Sequence, residues 1–154
     1  MKEKFIKAHL KAAEVYAHLS SAKRLQVGCV IVKDNTIIGI GYNGMPSGWD
    51  NNCEVEIHEE DLGNSYLKTR PEVLHAETNA IAKVAKSTNS TDGADMFITH
   101  APCLECAKLI HQAGIKNIWF DKHYRDESGI NFLQKCNIGV NHVGQNIHQQ
   151  SNNN

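Results

Sequence analysis

Val27-Gly28-Cys29-Val30-Ile31-Val32-Lys33-Asp34-Asn35-Thr36-Ile37-Ile38-Gly39-Ile40 reads as a strand, a tight turn and a second strand. Val27–Val32 is a continuous apolar run rich in β-branched residues. Asp34-Asn35 is a turn signal, and Thr36–Ile40 resumes the strand pattern, so the segment predicts a β-hairpin. Upstream, residues 3–19 place Phe5, Ile6, Ala8, Leu10, Ala12, Ala13, Val15, Tyr16 and Leu19 at helical spacing, with charge on the other side. Downstream, Gly41-Tyr42-Asn43-Gly44-Met45-Pro46-Ser47-Gly48 holds three glycines and a proline in eight residues and predicts a loop.

From Trp49 to Pro71 the chain is polar and reads as irregular. Its acidic cluster, Glu54, Glu56, Glu59, Glu60 and Asp61, has the composition of a solvated face. A loop of this length is usually functional or ordered by something bound. Helical spacing resumes over residues 75–86, with Ala80, Ile81, Val84 and Ala85 as the expected buried stripe, and Asn89–Gly93 breaks it. Met96–Thr99 predicts a short strand. Cys103–Ala113 predicts a helix closed by Gly114, the residue type a helix C-terminus favours. Ile115–Phe120 predicts a strand, Ser128–Cys136 a helix and Ile138–His142 a last strand. The order α-β-β-α-β-α-β-α-β gives an α/β protein, a mixed sheet with helices on both faces. Strands joined through helices should run parallel and the first two antiparallel. One domain over residues 1–143 and a polar, disordered tail over 144–154 complete the expected organisation.

The chain's 154 residues suit a single core. Its net charge of −1 gives no global attraction to a polynucleotide, and no stretch has the roughly 18–20 apolar residues of a membrane span. The opening MKEKFIKAHLKAAEVYAHL is too charged for a signal peptide, so the expected location is the cytoplasm. The five cysteines are an odd number and argue against a disulfide framework. Cys29 reads as a buried thiol and Cys136 as packed in the same way.

Two short motifs carry the chemistry. His75-Ala76-Glu77 and Pro102-Cys103-Leu104-Glu105-Cys106 both fall at expected helix starts. Free N–H groups and the positive end of the helix dipole favour thiolates there. Spacing of three puts Cys103 and Cys106 on one helix face. Pro102 suits the start of a helix, where its missing N–H costs little. One imidazole (His75) and two thiolates supply three zinc ligands and leave a fourth position for water. Glu77, two residues after the histidine, is placed to take a proton from the activated water and return protons to a ring nitrogen and a departing amine. The competing readings are a structural zinc site, which needs a fourth ligand such as His100 or His111, and a redox pair.

Read together, the motifs spell H-x-E…P-C-x-x-C, the signature of zinc deaminases acting on nucleobases. The chain resembles the cytidine and deoxycytidylate deaminase superfamily. More narrowly, it resembles deoxycytidylate (dCMP) deaminases, including those of bacteriophages. The stretches that carry this are RLQVGCVIVKDNTIIGIGYNGMPSG, PEVLHAETNAIAKVA and APCLECAKLIHQAGIKNIWF.

The resemblance implies a three-layer α/β/α sandwich around a five-stranded mixed sheet. It implies hydrolysis of dCMP to dUMP and ammonia, supplying thymidylate synthesis, with catalytic Zn2+ on His75, Cys103 and Cys106 and with Glu77 as proton shuttle. It further implies activation by dCTP and inhibition by dTTP, Mg2+ accompanying the triphosphate, and a homohexamer. The effector site would use Gly41, Tyr42, Asn43 and Gly44. Substrate candidates are Asn43 for the sugar, Arg24 for a phosphate, Ala76 through its backbone, and Tyr124 with Arg125 near the nucleotide. The competing role for Asn43 is a turn residue tolerant of positive φ. Thr99, His100 and Ala101 would offer backbone groups to the cytosine edge. Cys53 and His58, with Glu56 or Glu72, are candidates for a second zinc.

The alternatives are a dCTP deaminase on the same scaffold, a polynucleotide deaminase and a structural zinc module. Near-neutral charge and 6% aromatic content weigh against a polynucleotide groove. His75 weighs against the free-cytidine enzymes, which resemble a pattern with cysteine in its place.

Overall fold

The computed structural model describes residues 1–144. The tail reading for 145–154 lies outside the described residues. Chain order is α1 (Glu3–Ala17), β1 (Gly28–Lys33), β2 (Thr36–Tyr42), β3 (Glu54–Glu59), β4 (Asn64–Thr69), α2 (Ala76–Ala85), β5 (Asp95–His100), α3 (Leu104–Gln112), β6 (Asn117–Lys122), α4 (Ser128–Lys135) and β7 (Gly139–His142).

The β1–β2 hairpin turns on Asp34 and Asn35 at φ 49° and 60°. Both turn residues take the left-handed conformation that a tight hairpin matching strand twist requires. β1 also pairs antiparallel with β5, followed by parallel β6 and β7, so the sheet order is β2-β1-β5-β6-β7. β2 and β5, joined through α2, therefore point the same way with β1 between them. The expected five-stranded mixed sheet is present.

Alternation along the strands divides the core. Cys29, Ile31, Met96, Ile98, Ile118 and Phe120 pack on one face with Ala76, Ala80 and Val84 of α2, Ala107 and Ile110 of α3 and Leu133 of α4. Val30, Val32 and Phe97 pack on the other face with Ile6, Leu10 and Ala13 of α1. This is the period-two pattern of a sheet covered on both sides. α4 is only eight residues long and is too short to persist alone. Its Leu133 is fully buried, worth about 1.5–3 kcal/mol, which ties it to the sheet.

Several readings need correction. Residues 49–71 are not an irregular loop: β3 and β4 form a separate two-stranded antiparallel sheet in full register from Glu54↔Thr69 to Glu59↔Asn64. Val55 and Ile57 alternate with charged residues there, but both faces are largely exposed, so no buried apolar stripe marks the strands. Val15 of α1 and Leu19, past its end, are 58% and 59% exposed, while His9 joins the buried face of α1 and meets Asn35 of the turn through Nε2, 3.1 Å from Oδ1. In α2, Ala85 is exposed, and Ala76 and Glu77 are buried instead.

Gly41, expected in a loop, is instead the penultimate residue of β2, where the strand crosses the start of α2. A Cβ at this position would overlap the Ala76 carbonyl. Gly41→Ala is therefore expected to destabilise the protein by about 1–3 kcal/mol through overpacking, read as a fall of several degrees in Tm. An unchanged Tm would show that α2 yields freely.

Candidate active site

The site forms where three chain segments leave the same end of the sheet. β2 runs into Asn43-Gly44, β5 into Ala101-Pro102, and β6 into His123-Tyr124. Crevices at the carboxyl ends of strands, where neighbouring connections diverge, are the usual ligand sites of open α/β sheets. Gly44 makes a reciprocal backbone bridge to Leu74, with N–H to carbonyl distances of 3.0 and 2.8 Å, and so fixes the residue before His75.

His75 and Cys103 occupy the N-cap positions of α2 and α3 and do not lie inside the first turns, as the sequence reading placed them. Both have extended backbone, φ/ψ −78°/155° and −70°/169°. Neither side chain caps its own helix, so both are available to a ligand. Glu77 and Cys106 lie in the first turns and are 4% and 2% exposed. His75 Nδ1 stands 3.6 Å from Cys103 Sγ and 3.3 Å from Cys106 Sγ. All three donor atoms fall within 4.8 Å of one another.

Tetrahedral zinc with bonds of about 2.3 Å to sulfur and about 2.0–2.1 Å to nitrogen sets N···S at about 3.6 Å, so the donors fit that ion. Among the described residues the cluster has three members. His100 stays outside it, its Nδ1 2.9 Å from the Thr99 hydroxyl, and His111 packs edge-on against Phe132. A four-ligand structural site built on either histidine therefore lacks its fourth donor.

The donors share protons unevenly. Hydrogen bonds from Cys106 and then His75 hold the Cys103 thiol down to about 4. The same bond to Cys103, reinforced by burial, pushes Cys106 far up. His75 is raised chiefly by its bond to Cys103. Burial raises the Glu77 carboxyl. A carboxyl beside the donors, outside the ligand cluster and inclined to hold a proton, has the character of a general acid–base.

Above this floor opens a cavity of about 500 Å³. His75, Ala76, Glu77 and Cys103 line it, with Asn43, Arg24, Tyr124 and Arg125, so these candidates are brought together. Gly41, Tyr42 and Gly44 are not on its wall. Gly41 faces α2, and the Tyr42 carbonyl accepts from Asn79 Nδ2 at 2.8 Å. Asn43 has no positive φ, which removes the turn-residue explanation for it. Its Oδ1 accepts from Val27 N at 2.8 Å and its Nδ2 donates to Leu25 O at 2.8 Å, leaving one amide hydrogen for a ligand. The Ala101 N–H is already bonded to Lys122 O at 2.8 Å and is not free to read a base.

Cys53 is buried against Ser21 Oγ at 3.5 Å, whereas His58 lies on the exposed β3 opposite Ser65; the structure does not gather them into a second metal cluster. Lys122, His123 and Glu54 also line the cavity and were not singled out from sequence. The signal for Lys122 and His123 was positional, at the end of a strand parallel to the one leading into Cys103. Arg24, Lys122 and Arg125 give this cavity a positive rim on a chain of net charge −1.

Residues 1–122 match the model of the cytidine and deoxycytidylate deaminase zinc-binding region, and the chain belongs to that family. Human deoxycytidylate deaminase is 42% identical over 126 residues, covering 75% of this chain and 64% of that protein. The deoxycytidylate deaminase of Enterobacteria phage T4 is 32% identical over 147 residues, covering 75% and 76%. The crystal structure of the dCMP deaminase from cyanophage S-TIM5 in complex with dCMP and dUMP superposes with a TM-score of 0.84 at 42% identity, over 93% of this chain and 99% of that one. The chain spans 53% to 66% of the lengths of the first curated relatives it matches.

Cys103→Ser should reduce bound zinc from one ion per chain to a small fraction, measured by elemental analysis after dialysis. Full retention of metal would show that the ligand set is different.

Proposed function

We propose that this protein hydrolyses dCMP to dUMP and ammonia. The observation that carries the reading is the buried Glu77 carboxyl beside the His75–Cys103–Cys106 donors, at the floor of a cavity whose rim is cationic. Zinc on those three side chains would supply the Lewis acidity that makes water nucleophilic near neutral pH. The dCMP and dUMP named with the cyanophage structure are the substrate and product of this reaction, which supports the assignment.

The residues divide the work. Glu77 accepts one proton from the attacking water and delivers it to the pyrimidine N3. It then carries the second proton to the amino group leaving C4, so water and dCMP become dUMP and ammonia. Burial of Glu77 keeps bulk water from that exchange. Ala76 lines the base pocket through its backbone, and the spare Asn43 amide hydrogen is directed to the sugar. Arg24 binds the 5′-phosphate, for which a guanidinium fork is suited. Tyr124 bounds the nucleotide, and Arg125, 5.8 Å over the Tyr124 ring, adds charge beside it.

The proposal extends to regulation in a cytoplasmic homohexamer, with dCTP as activator, accompanied by Mg2+, and dTTP as inhibitor. The deaminase domain is assigned to residues 1–143. The proposed effector segment, Gly41, Tyr42, Asn43 and Gly44, touches the site twice: through Gly41 against the first turn of α2, and through the Gly44–Leu74 bridge beside His75. A ligand there would bear on the metal donors through α2.

Ammonia release by zinc-loaded protein should be fast with dCMP and slow with cytidine and dCTP, and should rise with dCTP and fall with dTTP as additives. Preference for dCTP as substrate would move the assignment to the triphosphate. Glu77→Gln should keep its zinc and lose about 10²–10⁴-fold in kcat; an active variant would remove Glu77 from the proton path.

A further inference from the structure

Ser20–Val27 crosses the cavity mouth without regular secondary structure, yet its backbone is held at several points. Asn43 holds its end through Leu25 and Val27. Its middle is held by Glu54, the first residue of β3 and only 8% exposed. One Glu54 oxygen, Oε1, accepts the N–H of Lys23 at 2.8 Å and the N–H of Arg24 at 3.1 Å. Thr69, the cross-strand partner of Glu54, takes the other end of the same residue: its hydroxyl accepts from Arg24 Nη1 at 3.1 Å. A single strand pair at the root of the hairpin thus fixes both the backbone and the guanidinium of Arg24. Among the described residues Arg24 forms no ion pair with a carboxylate, and it lines the cavity.

The hairpin has little other reason to be folded. An isolated two-stranded sheet is marginal in water, and β4 is exposed along its whole length. Further anchoring contacts lie at the root, where the Arg70 N–H donates to Cys53 O at 2.8 Å and the Arg70 guanidinium reaches Asp50 at 3.2 Å.

We propose that the Glu54–Thr69 pair is a positioning device that aims Arg24 and so sets selectivity for a phosphorylated over an unphosphorylated deoxycytidine. The proposal rests on the dCMP reading. A carboxylate accepting two adjacent N–H groups makes charge-assisted bonds and fixes its partner segment. Loss of Glu54 leaves two N–H donors without an acceptor and frees the segment that carries the guanidinium. Neither Glu54 nor Thr69 needs to touch the reacting atoms.

The test is the ratio of kcat/KM for dCMP to kcat/KM for deoxycytidine. Glu54→Ala should lower the ratio about tenfold, the scale of one lost hydrogen bond to a charged group, through KM for dCMP. Glu54→Gln, which retains an acceptor oxygen, should recover most of the ratio, and Thr69→Val should lower it severalfold. Amide hydrogen exchange at Lys23 and Arg24 should accelerate in Glu54→Ala. In an Arg24→Ala background, Glu54→Ala should change the ratio by less than about twofold, because coupled residues are not additive.

An equal loss for both substrates, or a full tenfold loss in the Arg24→Ala background, would overturn the proposal. If Arg24→Ala alone keeps the wild-type ratio while dCMP is turned over, the substrate reading stands and the positioning role falls. No turnover of dCMP by the zinc-loaded wild type would defeat both. Should Glu54→Ala fail to fold by circular dichroism, the Glu54→Gln/Thr69→Val double variant carries the same comparison.

Discussion

His75, Cys103 and Cys106 meet because β1 lies between β2 and β5 and runs against both. That arrangement sends β2 and β5 out of the sheet at the same end. β5 leads directly into α3, and the segment after β2 is tied back to the start of α2 by the Gly44–Leu74 bridge. Two helix N-termini then converge, each with free N–H groups and partial positive charge. The donors sit on the N-cap residues and the first turns, where that field favours thiolates and where side chains point off the helix end. Core packing holds the convergence in place: Ala76 and Ala107 are fully buried, and their small side chains let both helices lie close on the sheet.

The electrostatics of the cavity follow from the same geometry. Its floor is buried and holds Glu77, which desolvation disposes toward its protonated form. Its rim is wet and carries Arg24, Lys122 and Arg125. Burial, with the nearby Lys122 charge, holds His100 below the usual imidazole range, so it adds a neutral ring to the wall. A ligand with a neutral ring and an anionic tail matches that gradient. The ring is drawn to the dry end where proton transfer is protected from solvent, and the anion stays where charge is well solvated and still attracted.

The sheet was legible because its strands are apolar on both faces: Val27–Val32 and Met96–Thr99 admit little else. The Asp34-Asn35 turn announced the hairpin. The donor set was legible because metal chemistry constrains residue type and spacing so tightly that two short motifs define it. The β3–β4 hairpin was not, since a strand exposed on both faces leaves no buried stripe in the sequence, and Glu54 looked like one acid among five. Its role depends on a partner thirty or so residues away, at Lys23 and Arg24, which spacing alone does not reveal. Asn43 was picked out as a sugar ligand or a left-handed turn residue. Besides its free amide hydrogen, the structure bonds its amide to the Leu25–Val27 backbone, a long-range use that local turn chemistry does not anticipate.

A metal held by His75, Cys103 and Cys106 alone would keep one position for chemistry. X-ray absorption at the zinc edge of the metal-loaded protein reads that coordination shell. Two sulfur neighbours are expected at about 2.3 Å and two lighter neighbours at about 2.0–2.1 Å, only one of them with the outer-shell pattern of imidazole. A shell closed by a second imidazole or a third sulfur would contradict that arrangement, because such a centre would be structural and would leave Glu77 without a reaction to serve.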